Sequence, residues 1–468
     1  MDRSIGGLFV VFLLVVVLRE VGVGVDSGLL VALHLVSFGL LIAVVASITN
    51  GVRADDRRAV AVAGLQIALA VLAGAAVVWH ARVEGLGFEG LAVVYLAMIG
   101  LALAHAGERG ALRSIVPYLL GYVLLAGVFL QHVLDVAPTS GLALFPVFAA
   151  VTLGLCLFVI PRYAAEPVFH RSLVAIATVF AVVGLSAAFL GEYTVGGFEV
   201  ALWGERSLPF VDREVPIIQS VFGNPNTLGL AVFPGLVAAV VEFHRVAVER
   251  RSDWGVVFVP LVVLLGVALY LTNSRGSMLA AATGIAIYGV YALAGRRAVP
   301  AGVALGYGGA LAALTAVFVL LPGTDGQRGA LWSAGLEAYL ASPTALGEGL
   351  VGTGDLIAPY LENPGSTVHN SYLSVLLRTG LVGIVGYLLV VVAPTIHGAI
   401  RRRTVSPGAL ALAGAFVIHQ FFEGYTIYQY DFGAVLGALA AGYLIVSLGR
   451  DTGNTDPDRA GSTTSDAR

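Results

Sequence analysis

With 468 residues, 58% of them hydrophobic and only 12% charged, and a mean hydropathy of +0.90, the chain falls outside the soluble globular range, where about a quarter of residues are charged. The net charge of −3 says little about partners, while the single cysteine, Cys156, excludes an intrachain disulfide and any cysteine-cluster metal site. Every basic residue is an arginine.

Apolar runs of about 17–22 residues, long enough to cross roughly 30 Å of hydrocarbon, recur down the chain. The first, 5–18, follows Arg3 as in a signal peptide, but no small-residue cleavage site follows and many spans do, so it reads as a retained helix. Further spans are expected near 28–48, 59–79, 90–106, 115–132, 141–160 and 171–190, then 227–243, 254–272, 277–294 and 299–321. The last are near 380–398, 407–421 and 432–448. The fold class is an all-α polytopic membrane protein of about 12–14 transmembrane helices, a single membrane domain over 1–450 followed by a polar, disordered cytoplasmic tail at 451–468. No internal repeat stands out.

Arginine placement orients this topology. With the N-terminus inside, the inner segments carry Arg53, Arg57, Arg58, Arg109, Arg113, Arg162, Arg171, Arg245, Arg250, Arg251, Arg296, Arg297 and Arg401–Arg403. That is the positive-inside pattern, and it makes both termini cytoplasmic. The outer side keeps Arg19, Arg82, Arg206, Arg213, Arg275, Arg328 and Arg378. Orientation does not account for these, so they become candidates for chemistry. Four lie in the two longest outer segments, 191–226 and 321–380.

In chain order, Arg206 and Arg213 have carboxylate neighbours and read first as a solvated ion-pair face, with substrate contact as the alternative. Asn224 and Asn226 flank a proline at the start of the next span; Asn-Pro starts a turn and Asn226 can cap the helix, a structural role that competes with a direct one. Arg275 stands in the tight turn Thr272-Asn273-Ser274-Arg275-Gly276, at the outer surface, where it could grip a phosphate or snorkel to ordinary headgroups. Arg328 opens an expected helix over 327–341, adding its charge to the positive end of the helix dipole. Gly347, Gly349, Gly352 and Gly354 follow, either as simple turns or as a backbone nest for anionic oxygens. His369 then precedes Asn370, Ser371 and Tyr372, and its ring is the side chain best suited to take a proton near neutrality. The other histidines sit at helix ends or, like His34, His105 and His419, in apolar runs where packing suffices, and no spacing suggests a metal site.

As an ordered set these pieces resemble the O-antigen ligase and O-antigen polymerase superfamily. The resemblance rests on Phe222-Gly223-Asn224-Pro225-Asn226-Thr227-Leu228-Gly229, the 272–276 turn, Arg328 with Trp332, the 347–354 glycines, and His369-Asn370-Ser371-Tyr372-Leu373 ahead of Gly380. It implies a membrane glycosyltransferase, without cofactor or metal, using a polyprenyl-(di)phosphate-linked glycan donor on the outer face and a glycan, lipid or protein acceptor. It further implies that Arg275 and Arg328 neutralise the donor phosphates and that His369 activates the acceptor hydroxyl. Asn370, Tyr372, Arg378, Arg206, Arg213, Asn224 and Asn226 become candidate substrate contacts. Arg378 departs from the family pattern, which often has an acidic residue there. The alternatives are a transporter or flippase of a lipid-linked or small anionic substrate, which would place ionisable groups within spans, and a non-catalytic scaffold, in which Arg275, Arg328 and His369 would tolerate alanine.

Overall fold

The structure, a computed structural model, describes residues 9, 10, 13, 109–135, 144–195, 198–208, 213–316, 328–362, 365–429 and 431–449. The spans expected near 28–48, 59–79 and 90–106, most of 5–18, and the tail at 451–468 lie outside the described residues. The helices are α1 (Arg109–Asp135), α2 (Leu144–Phe158), α3 (Glu166–Leu190), α4 (Pro225–Phe243), α5 (Phe258–Leu271) and α6 (Arg275–Ala294). They continue as α7 (Val299–Thr315), α8 (Arg328–Ala341), α9 (Ser371–Val391), α10 (Ala393–Ile400), α11 (Pro407–His419) and α12 (Phe432–Leu448).

Among the described residues, seven helical stretches are long and apolar enough to cross a membrane: Ile115–Val133, Glu166–Leu190, Pro225–Glu249, Asp253–Leu271, Arg275–Ala294, Arg296–Thr315 and Ser371–Ile400. The chain is a multi-pass, predominantly helical membrane protein. Helices α11 and α12 are shorter, yet every residue of α11 from Gly408 to His419 is buried and α12 is buried along nearly its whole length. A helix apolar on all sides belongs in an interior, and these two form the centre: α11 packs on α6 and α4, and α12 on α2 and α11.

Small residues let the outer helices come close. A Cβ on Gly121 of α1 would lie 2.7 Å from Leu389 Cβ and 2.9 Å from the Gly386 carbonyl of α9, so the two backbones touch at this crossing. Close approach of this kind is the usual basis of helix association in lipid, where burial against a neighbouring helix brings no hydrophobic gain.

Two features differ from the sequence expectation. Within the expected all-α fold, the 191–226 segment holds a three-stranded antiparallel sheet, β1 (Tyr193–Val195), β2 (Phe198–Ser207) and β3 (Glu214–Ser220), in the order β1-β2-β3. Its strands are rich in β-branched and aromatic residues, which fit a pleated, half-buried surface, and Ile217 and Ile218 are buried where the sheet packs on α3 and α4. The second difference is that α9 begins at Ser371, so the stretch expected as loop to 380 is helical over its last turns. Gly380 (φ 61°, ψ −161°) breaks α9 there, in the left-handed region glycine tolerates best. The 344–349 strand of chain lies against the break: Val382 N donates to Ala345 O at 3.0 Å and Gly349 N to Arg378 O at 2.9 Å.

Contacts sort the connecting segments into two ends. At one, Arg296 Nη1 donates to Val405 O at 2.8 Å and Arg402 O at 3.3 Å. Ser406 Oγ of the same end donates to Glu166 Oε1 at 2.5 Å, and there the buried Glu242 pairs with Arg171 (3.1 Å) and Arg245, with His170 between Glu242 (3.4 Å) and Glu166 (3.5 Å). These are the segments that arginine placement assigns to the inner side. The outer segments meet one another at the opposite ends of the same helices. Replacing Gly386 by leucine should cost about 1–3 kcal/mol through overpacking, seen as a lower melting midpoint in detergent by tryptophan fluorescence, whereas leucine at Gly308, whose Cβ would meet nothing within 4 Å, should leave the midpoint in place.

Candidate functional site

The site is built on the segment joining α11 to α12. The end of α11 closes in tight turns, with Phe421 N donating to Ile418 O at 3.1 Å and Phe422 N to His419 O at 2.9 Å. Asp431 caps α12 by accepting from Ala434 N at 2.7 Å. The start of α9 is fastened to the same segment. Ser371 N donates to Gln420 O at 2.8 Å, and Ser371 Oγ donates to Glu423 O at 2.7 Å and to Tyr425 O. Asn370 is the cap of α9, its side chain accepting from Leu373 N at 3.0 Å. His369, immediately before it, has φ 46°, a left-handed conformation that costs a residue with a Cβ about 1–3 kcal/mol. The flanking cap and the stitches to 420–425 hold it there.

This arrangement brings a carboxylate to the two residues singled out from sequence. Glu423 Oε1 accepts from Arg328 Nη2 at 3.1 Å, and Glu423 Oε2 lies 3.7 Å from His369 Nδ1. The Glu423 and Arg328 side chains are mostly buried, at 19% and 21% exposure, and His369 is more open at 43%. Burial pushes the Glu423 carboxyl up. The His369 ring and the Arg328 guanidinium beside it, with His419, outweigh that and hold the group below its ordinary value. Glu423 is therefore ionised at neutral pH. The Arg328 guanidinium carbon also lies 5.8 Å from the centre of the Phe422 ring, and Trp332 packs on that ring at 6.3 Å.

The Arg275 turn reaches the same segment from the other side. Arg275 is exposed at the first position of α6, and Gly276 behind it abuts Phe422: a Cβ there would lie 2.6 Å from Phe422 Cβ. Beneath, Ser274 Oγ and Ser277 Oγ are 2.8 Å apart, Ser277 Oγ is 2.9 Å from His419 Nε2, and His419 Nδ1 is 3.1 Å from the Tyr425 hydroxyl. All four side chains are buried. The turn carrying Arg275, the helix carrying Arg328 and the cap carrying His369 thus converge on one short segment, residues 419–425.

The remaining candidates have other surroundings. Tyr372 spends its hydroxyl on Val417 O at 2.8 Å, with its ring between Phe421 and Tyr387. Arg378 donates to Gly349 O at 3.2 Å and Leu350 O at 3.3 Å, fastening the glycine-rich loop to broken helix α9. The backbone N–H groups of Gly347, Glu348 and Gly349 donate to Thr344 Oγ1, Leu377 O and Arg378 O. That part of the loop is a turn, and its N–H groups are not available as an anion nest. Asn224, rather than Asn226, caps α4, accepting from Thr227 N at 2.9 Å, while Asn226 falls within the first turn. Arg206 is exposed on β2 opposite Val215, and Arg213 is exposed just before β3. Among the described residues, no group of three His, Cys, Asp or Glu side chains is arranged to hold a metal ion.

Glu423 was not among the residues singled out from sequence. It stands alone in Phe421-Phe422-Glu423-Gly424-Tyr425, and the signal available was a carboxylate in a short outer turn between two strongly apolar helices.

Residues 260–388 match the O-antigen ligase family, which bears out the resemblance drawn from the motifs. No curated protein matches the chain. The matched region includes Arg275, Arg328, His369, Asn370, Tyr372 and Arg378, and ends before Glu423.

The depressed value of Glu423 sets a pH signature. A carboxyl whose folded value lies below its unfolded one contributes stability that is fully present above about pH 4.3, the unfolded value. That contribution is lost as pH falls through the folded value. The melting midpoint of Glu423→Gln in detergent should therefore lie below that of the wild type at neutral pH, and the gap should shrink as the pH falls below about 4.3.

Proposed function

On the premise that residues 260–388 carry the O-antigen ligase fold of the superfamily, we propose that this membrane protein transfers or polymerises glycan from a polyprenyl-(di)phosphate-linked donor on the outer face of the membrane. The observation that carries the reading is the convergence of Arg328, His369 and the Arg275 turn on Phe422 and Glu423. Positive-inside placement of the other arginines supports the outer face, because the converging segments all belong to the side that pattern leaves poor in arginine.

The chemistry follows from the groups present. Glycosyl transfer from a lipid diphosphate breaks the bond between the anomeric carbon and the phosphate oxygen, and the electron pair leaves with the phosphate. In this reading Arg275 and Arg328 meet that developing charge, and a guanidinium fork suits phosphate geometry. Partial burial of Arg328 strengthens its effect relative to water. The acceptor hydroxyl forms the new bond to the anomeric carbon and gives its proton to His369, whose partial exposure leaves room for an acceptor. Direct displacement in this arrangement inverts the anomeric configuration. The acceptor, whether lipid, glycan or protein, is set by surfaces beyond these three residues.

The test is deletion of the gene followed by complementation. Deletion should leave surface glycans short or unattached, and Arg275→Ala, Arg328→Ala and His369→Ala should each fail to restore them, with transfer reduced by at least about 100-fold. Full restoration by variants shown to insert normally would remove these residues from the site. The size of the accumulating lipid-linked glycan separates the two activities: full-length chains on the carrier indicate a ligase, and single repeats indicate a polymerase.

A further inference from the structure

The proposed transfer leaves one charged group at the site without a task. Glu423 divides its two oxygens between different partners, Oε1 accepting from Arg328 Nη2 at 3.1 Å and Oε2 lying 3.7 Å from His369 Nδ1. The first is a formed, charge-assisted hydrogen bond; the second is within ion-pair range but longer than a hydrogen bond. Arg328 Nη1 is buried and has no hydrogen-bond partner among the described residues. A guanidinium carries five N–H donors, so Arg328 holds unspent donor capacity while tethered to the one carboxylate that also faces the histidine.

We propose that Glu423 is a positioning residue that couples donor capture to activation of His369, its carboxylate passing from Arg328 to His369 when a prenyl diphosphate engages the guanidinium. This inference rests on the transferase reading. A diphosphate offers Arg328 two-point binding and more charge than a single carboxylate oxygen. As the donors of Arg328 turn to it, Glu423 is released to close the gap to His369 Nδ1. An Nδ1–H···carboxylate bond fixes the tautomer that leaves Nε2 as the base, and it stabilises the imidazolium formed when Nε2 takes the acceptor proton. That proton later leaves to water, so the net products are the glycosylated acceptor, the prenyl diphosphate and one proton. Before the donor arrives, Arg328 holds the same carboxylate and the bond to Nδ1 is not formed. Among the described residues, the charged and titratable groups interacting with Glu423 are Arg328 from α8, His369 ahead of α9, His419 at the end of α11 and Tyr425 two residues on. Positive φ at His369 fits the same role, since the backbone is held in a costly conformation that keeps the ring beside the carboxylate.

The experiment uses the full chain in lipid nanodiscs, with farnesyl diphosphate as the probe. Two quantities are measured for wild type, Glu423→Gln, Glu423→Asp and Arg328→Ala: the Kd for the probe, and the nitrogen-15 resonances of the His369 ring with and without it, assigned by their loss in His369→Ala. Removing the competing carboxylate should tighten probe binding several-fold in Glu423→Gln, whereas Arg328→Ala should weaken it. Adding the probe should move the wild-type Nδ1 resonance to that of a ring donating Nδ1–H to a carboxylate, a change lost in Glu423→Gln and largely kept in Glu423→Asp. A Glu423 that only builds the fold would weaken binding in both glutamate variants and leave the His369 resonances of the wild type unmoved by the probe, and that result overturns the coupling. Wild-type protein that binds no farnesyl diphosphate overturns the transferase reading itself, so the two failures are distinguishable.

Discussion

A buried polar chain at the end of α11 is the constraint on which the rest of the site depends. Helix α11 is apolar on every side until His419, whose ring is buried between Ser277 of α6 and Tyr425 of the following segment. Polar groups inside an apolar bundle are costly unless each finds a partner. Ser274, Ser277, His419 and Tyr425 satisfy one another only in the observed arrangement, so the Arg275 turn and the 420–425 segment must dock together. Ser371 then adds the start of α9 through the Gln420, Glu423 and Tyr425 carbonyls. The candidate residues Arg275, Arg328 and His369 are thus held in place by buried groups.

The Gly380 break serves the same end from a distance. An unbroken α9 would have no backbone groups to offer the 344–349 stretch; the break lets Ala345 and Thr344 carbonyls accept from Val382 and Leu381. Arg378 closes the arrangement by donating to Gly349 and Leu350 carbonyls, and His132 of α1 lies 2.7 Å from Leu346 O. Irregular backbone at this depth is tolerated where protein groups satisfy it. This packing fixes the chain that leads from α8, with Arg328 at its start, to the His369 cap. An arginine that departs from the family pattern thus has a structural occupation in this chain.

What the sequence made legible, and what it did not, follows from the range of the interactions. Apolar run length locates the long helices because lipid acts on each run independently of its neighbours. Arg275 and Arg328 stand out because positive-inside bias makes an outer arginine an exception, and His369 stands out because a local cap pattern surrounds it. Glu423 escapes because its importance comes from contacts with residues 95 positions away at Arg328 and 52 positions away at Ser371. The sheet at 193–220 was obscured by its charges and glycines, although Val200, Val215, Ile217 and Ile218 carried a β signal. The break at Gly380 and the capping role of Asn224 are local, but each depends on a backbone conformation that composition does not specify.

Under the proposed function, the cluster on Glu423 breaks the bond between a glycan and its lipid phosphate. The most direct measurement is reconstitution of the purified chain in proteoliposomes with a donor radiolabelled separately in glycan and phosphate, together with an acceptor. The account predicts that glycan label moves to the acceptor while an equal amount of labelled prenyl phosphate or diphosphate is released, and that Glu423→Gln slows both together. Donor that crosses the bilayer with both labels still joined, or glycan transfer unaffected by Glu423→Gln, would contradict it.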